Sequence, residues 1–146
     1  MPTVERSVTI RVPPDKVWDA YVGMEGWLQW NQHMREAKLL GEGPLAVGQR
    51  ARIRLKTGMS SEWEVTELTP GKSFTWVSRV VPGLRLAFAH EVSPADGGAR
   101  AVLRIDSSGP VASLAAPVLG LVYSRNLVHA LSRLKALLEG GAGAQT

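Results

Sequence analysis

Two polar side chains interrupt otherwise apolar registers in this chain. His90 falls in the alternating run Leu84, Leu86, Phe88, His90, Val92, and Tyr123 falls on the apolar arc of a helical pattern near the C-terminus. An imidazole in a greasy setting must be hydrogen-bonded or face pocket water. It then serves as a satisfied core residue, as a hydrogen-bonding partner for a ligand, or as a general acid or base. All three readings of His90 stay open, and Tyr123 divides between plain packing and offering its hydroxyl to a cavity. These two are the candidate catalytic residues. Around them Trp63 and Trp76 share inward parity on neighbouring strand patterns, and Trp30 stands where a short helix closes over them. With Phe88, Leu103 and Leu119 they outline a ligand-binding surface suited to flat or isoprenoid-like molecules, although tryptophans also serve as core without any ligand.

Other chemistry is thinly represented. Glu67 shares the parity of Trp63, but it lies near a strand end and is expected to be wet. His33 and His129 read as surface residues, so no pair of histidines has metal-ligand spacing, and neither a metal nor a cofactor is expected. The chain has no cysteine, which excludes disulfides, thiolate metal sites and cysteine nucleophiles and points to a reducing, cytoplasmic setting. No Gly-x-Ser-x-Gly elbow and no phosphate-cradling Gly-x-x-x-x-Gly-Lys is present. Catalysis is not thereby excluded, because a reaction within a bound substrate needs only shape and one acid or base.

The elements that must position these side chains follow from periodicity. Val4 to Val12 alternates, with Val4, Val8, Ile10 and Val12 on one side, and predicts a first strand. Pro13-Pro14-Asp15 ends it and opens a helix with Val17, Trp18 and Tyr21 as its apolar stripe. A second short helix carries Trp27 and Trp30. From Glu36 onward, turn signals such as Thr57-Gly58, Thr69-Pro70-Gly71, Pro82-Gly83 and Ala95-Asp96-Gly97-Gly98 separate six strands, predicted at 36–42, 49–56, 61–68, 73–80, 84–93 and 100–108. Trp63 and Val65, Phe74, Trp76 and Val80, Leu84 to Val92, and Ala101, Leu103 and Ile105 share the apolar parity, which describes an antiparallel sheet with one wet and one greasy face.

The last long stretch, Pro110 to Glu139, predicts an amphipathic helix. Leu119, Tyr123, Leu127, Ala130, Leu131, Leu134, Leu137 and Leu138 fall in one arc, with Arg125, His129 and Arg133 away from it. Pro117 and Gly120 loosen its first turns, and Val118, Leu121 and Val122 lie opposite the core arc, where a solvated helix is polar. Either a partner covers them, a homodimer for instance, or they form a gate at the mouth of a cavity. The turns 57–60 and 81–83 and the link 107–112 mark the end where that mouth belongs. Gly140 onward reads as a flexible tail, leaving 1–139 as one domain.

Seventeen Lys plus Arg against thirteen Asp plus Glu leave a formal charge of +4. The basic residues Arg50, Arg52, Arg54 and Lys56 alternate with apolar ones, as on the wet side of a half-buried strand, so nucleic acid is not an expected partner. Glu62 and Glu64 are placed to pair with them. The apolar run Val111 to Tyr123 is shorter than the roughly 20 residues of a membrane span, so no transmembrane segment is expected.

The segment Val12-Pro13-Pro14-Asp15-Lys16-Val17-Trp18-Asp19, then Trp27 and Trp30-Asn31, Trp63-Glu64-Val65, His90-Glu91-Val92, Gly97-Gly98 and Ser108-Gly109-Pro110 resembles the START-related helix-grip superfamily. That superfamily holds polyketide cyclase and dehydrase-like, birch pollen allergen-like and coenzyme Q-binding-like proteins. The resemblance implies an α+β helix-grip fold, in which a seven-stranded curved antiparallel sheet and two short helices after strand one wrap around the long C-terminal helix. It also implies a cavity between sheet and helix for a small hydrophobic ligand, a lipid, isoprenoid or polyketide-like molecule. Three functions fit: a binding or carrier protein, a cyclase or dehydrase, and a regulatory interaction module. An empty void of roughly 300 Å³ would cost on the order of 7 kcal/mol, so any such space is expected to hold side chains, water or ligand.

Overall fold

In the computed structural model, which describes residues 3–144 apart from the side chains at 79–81 and 141–144, a single antiparallel sheet organises the chain. β1 (Thr3–Ile10) leads into α1 (Pro14–Val22) and a 3₁₀ helix (Met24–Gln29). Then come β2 (Met34–Leu39), β3 (Arg50–Leu55), β4 (Ser60–Thr69), β5 (Ser73–Val81), β6 (Leu84–Ala95) and β7 (Gly98–Ser108), and α2 (Ala112–Ala144) completes the order. The seven strands lie in the order β1-β7-β6-β5-β4-β3-β2. Successive hairpins therefore build a meander, and the first strand returns to pair with the last. This is the helix-grip α+β fold that the sequence predicts.

Local chemistry explains the boundaries. Pro14 opens α1 where its missing N–H costs nothing, Asp15 complements the helix dipole, and Val17 and Tyr21, four apart, are buried on one face. β1 stops two residues short of the predicted Val12 because the Val12 N–H turns back to the Ile10 carbonyl at 2.9 Å. That bend brings the β1 end against Gly98, where an added Cβ would sit 2.1 Å from the Ile10 oxygen, so only glycine admits the crossing. A bulge between Val65 and Glu67 resets the alternation of β4. Leu68 then lies opposite Phe74 on the core side, and Glu67 is exposed, as expected. The second short helix is 3₁₀ rather than α, and it buries Met24 and Trp27, with Trp30 buried just beyond its end.

α2 packs chiefly on β1 and β7. Leu127, Ala130, Leu131 and Leu134 are buried and His129 is exposed, so the predicted helix phase holds. Leu138 is half-buried against the core, whereas Leu137 at 38% exposure lies outside it. Residues at 100° per step drift out of a straight contact, and Leu137 has moved past its edge into an open surface groove with Lys16, Asp19 and Gln29. The far end is clasped to β1: Glu139 accepts from the Arg11 N–H at 2.8 Å and from Lys135 Nζ at 2.6 Å, while Lys135 also donates to the Thr9 carbonyl. The helix continues to Ala144, and the last part of the stretch expected to be a tail, 145–146, lies outside the described residues.

The apolar run Val111 to Tyr123, too short for a span by itself, continues into a longer apolar helix. Ala112–Gly140 is long and apolar enough to cross a membrane by length and composition, a test that the core helix of a soluble protein also passes. The Val80 side chain, assigned to the core face, lies outside the described residues, and β5 has a register shift there, between Ser78 and Val81. On the wet face, Arg50 meets Glu64 at 3.6 Å and Arg52 lies opposite Glu62, as anticipated, but Arg54 pairs with Glu36 of β2 at 3.7 Å. Arg104 gathers Glu91, Asp106 and Glu5 within 3.7 Å.

Candidate functional site

Because α2 rests on the β1 and β7 side, it leaves part of the concave face formed by β3, β4, β5 and β6 uncovered. There the sheet presents Ile53, Trp63, Trp76 and Phe88, and a cavity of about 110 Å³ remains between them and Val122, Tyr123 and Asn126 of α2. Leu55 and Ser61, which flank the β3–β4 turn, together with His33 and Met34, form its rim. A smaller inner lobe of about 20 Å³ lies deeper, against Trp30, Asn31, His90, Leu103 and Leu127. Trp27, Phe88, Tyr123 and Asn126 border both lobes.

Most of the potential void is thus filled by side chains. At about 24 cal/mol per Å³ the outer lobe costs roughly 3 kcal/mol if left empty, which a domain tolerates. The mouth lies at the expected end of the sheet only in part. The β3–β4 turn borders it, but the Pro82-Gly83 turn and the link after β7 are tied together, the Val111 N–H bonding the Gly83 carbonyl at 3.0 Å.

His90 is 1% exposed and is sandwiched between Phe74 and Phe88, with ring centroids 4.1 and 4.4 Å away and planes 7° apart in each case. Alternation on β6 puts it on the core side, and its cross-strand neighbour Phe74 supplies both a stacking ring and a hydrogen bond. His90 Nδ1 lies 3.3 Å from the Phe74 carbonyl. A carbonyl only accepts, so Nδ1 carries the proton and Nε2 is left as a bare acceptor. Nε2 has no partner among the described residues, and neither does the buried Trp76 Nε1–H. Burial pushes the His90 pKa down to about 3, with the Phe74 hydrogen bond opposing it. At neutral pH the ring is uncharged and a feeble base.

Tyr123 is half-buried over both lobes, burial raises its phenol pKa, and its hydroxyl has no hydrogen bond among the described residues. Trp63 Nε1 donates to Ser61 Oγ at 2.9 Å, which fixes that indole in the outer wall. Of the eight predicted ligand-binding positions, Trp30, Trp63, Trp76, Phe88, His90, Leu103 and Tyr123 converge here. Leu119 packs half-buried against the core and borders neither lobe, since it sits one helical turn before Tyr123. His33, expected on the surface, instead lines both lobes, and burial and then the nearby His129 lower its pKa. Trp27 and Asn126 were not foreseen as site residues. Trp27 had a signal, its spacing of three from Trp30 on one helical face; Asn126, beside the apolar arc, had none. Among the described residues no three His, Cys, Asp or Glu side chains cluster as a metal site.

A family model described as "Polyketide cyclase / dehydrase and lipid transport" matches residues 1–139. Among solved structures, the di-domain ARO/CYC StfQ from the steffimycin biosynthetic pathway superposes with TM-score 0.78 at 16% identity, over 97% of this chain and 52% of its own. The hypothetical protein jhp0584 from Helicobacter pylori gives 0.75 at 18% identity, over 92% of this chain and 85% of its own. Ara h 8.0201 gives 0.65 at 16% identity, over 89% and 95% respectively. At such identities the likeness shows the fold alone. No curated protein sequence matches the chain.

Proposed function

The chain belongs to the polyketide cyclase/dehydrase and lipid transport family, and we propose that within it this protein binds and carries a small, largely aromatic hydrophobic molecule in the cavity beneath α2. One observation carries the reading: an outer lobe of about 110 Å³ walled by Trp63, Trp76 and Phe88 and roofed by Tyr123. A cavity of about 150 Å³ holds a benzene, so the ligand presents roughly one ring unless the start of α2 moves aside. Carriage is favoured over acid–base catalysis because the most buried titratable group lining the cavity, His90, is held neutral and weakly basic. The unpartnered Tyr123 hydroxyl is what supports the alternative, a cyclase-like enzyme, whose mark would be turnover lost in Tyr123→Phe. A cytoplasmic location remains part of the proposal and rests on the cysteine-free composition.

A thermal-shift panel of single-ring aromatics, aromatic polyketides, isoprenoid quinones and fatty acids tests this. A ligand at a hundredfold excess over its Kd adds about 2.7 kcal/mol. At about 2–4 °C per kcal/mol, the melting temperature should rise by roughly 5–10 °C for members that fit. Tryptophan emission should change with it, and Trp76→Ala should weaken binding more than Trp18→Ala, since Trp18 touches Phe74 edge-on at 6.4 Å from outside the cavity. A panel that moves neither signal would count decisively against a ligand-binding role.

The apolar start of α2 supports a homodimer. Leu114, Val118 and Leu121 are 83%, 65% and 67% exposed and repeat at three- and four-residue spacing, a stripe that a symmetry-related copy of itself can cover. Leu121→Glu with Val118→Glu should convert a dimer to a folded monomer in sedimentation analysis. An identical mass before and after would show that the stripe is not a dimer interface.

A further inference from the structure

Two buried polar atoms, on rings 5.5 Å apart between centroids, lack partners among the described residues, and they are opposite in kind: Trp76 Nε1–H can only donate and His90 Nε2, with Nδ1 committed to Phe74, can only accept. A buried unmet donor or acceptor is costly, so such a pair in one site points to something that completes it. Trp76 borders the outer lobe and His90 the inner one. The inner lobe, about 20 Å³, is the room of one water-sized group.

Resting on the ligand-binding reading above, we propose that the cavity selects an apolar ligand that carries one neutral hydroxyl, its O–H donated to His90 Nε2 and its oxygen accepting from Trp76 Nε1. The choice of group follows from elimination. A ketone or ether oxygen meets the indole N–H and leaves the imidazole unmet. A carboxylate brings charge into an apolar site and sets its lone pairs against that of Nε2. Among single neutral oxygen groups only a hydroxyl both donates and accepts. The aromatic outer lobe takes the body of the ligand, so a phenol of one ring spans the two lobes.

Calorimetric titration of the purified full chain with p-cresol, toluene, 4-methylanisole and p-toluate separates the outcomes. We expect p-cresol to bind at least about tenfold more tightly than each of the other three, since only it satisfies both atoms. In Trp76→Phe, which keeps an aromatic wall, and in His90→Phe, which keeps the stack, that preference should shrink to within about threefold. The Trp76 variant suffices if the His90 variant does not fold. Toluene binding as tightly as p-cresol would overturn hydroxyl selection and show that water holds the two atoms, while leaving the ligand-binding reading intact. Equal affinity for p-toluate would overturn it as well. No binding by any of the four to the wild-type chain would overturn both.

Discussion

Lowering the pH from 7 to 4 should cost this protein roughly 3 kcal/mol of stability through His90 alone, and His90→Phe should remove that part of the loss. The folded pKa lies at about 3, below the ordinary value of 6.5, because burial penalises the imidazolium. Between those values the unfolded chain binds a proton that the folded chain refuses. Stability therefore rises with pH in this window: it is complete above about 6.5 and is lost progressively as the pH falls toward 3. His33, also depressed by burial, acts in the same direction, and Glu139, depressed by its Lys135 and Arg11 hydrogen bonds, adds a loss at more acid pH. Both persist in the His90 variant. The measurement is urea unfolding of the two proteins at pH 7, 5.5 and 4, compared by slope rather than by absolute stability, since phenylalanine in the stack carries its own packing cost. Parallel slopes would mean that His90 is not buried as a neutral ring. Bound ligand with a hydroxyl on Nε2 should steepen the wild-type slope, because protonation would remove the acceptor.

The fold was legible because its signals are periodic and local. Alternation set six strand assignments to within two residues at nearly every end, and the glycine-centred turns marked the hairpins, Gly97 taking the positive φ of +78° that the β6–β7 turn needs. What escaped were events without a periodic trace. The bend at Val12 depends on a carbonyl two residues earlier, and the bulge after Val65 shifts parity with no glycine or proline to announce it. The site was legible through parity wherever strands form it, as at Trp63, Trp76, Phe88 and His90. On α2 the same approach chose Leu119 and missed Asn126, because a helix arc says which residues face inward but not where along its length the sheet withdraws. His33 was misplaced for a related reason. It lies in a connection, between the 3₁₀ helix and β2, where no period tells inside from outside.

Trp27→Ala should be among the most damaging single substitutions in the chain, with a loss of about 3–5 kcal/mol. Its indole is fully buried, stands 5.2 Å from Trp76, 5.3 Å from Trp30 and 5.4 Å from His90 between centroids, and donates from Nε1 to the Tyr21 carbonyl at 3.0 Å. Truncation removes a wall shared by both lobes and leaves the Tyr21 carbonyl without that donor. Against a typical total of roughly 5–15 kcal/mol, such a loss should lower the melting temperature by about 10 °C or more. Trp18→Ala should lower it far less, since that side chain is only half-buried and meets Phe74 by an edge. The same cavity physics gives the variant a gain. With the lobes merged, ligands of two fused rings that the wild type excludes should bind and restore several degrees of melting temperature. A Trp27→Ala protein that melts within about 2 °C of wild type would show that this indole is not packed as the structure has it, and an unstable variant that no two-ring ligand rescues would show that the lost volume collapses rather than joins the cavity.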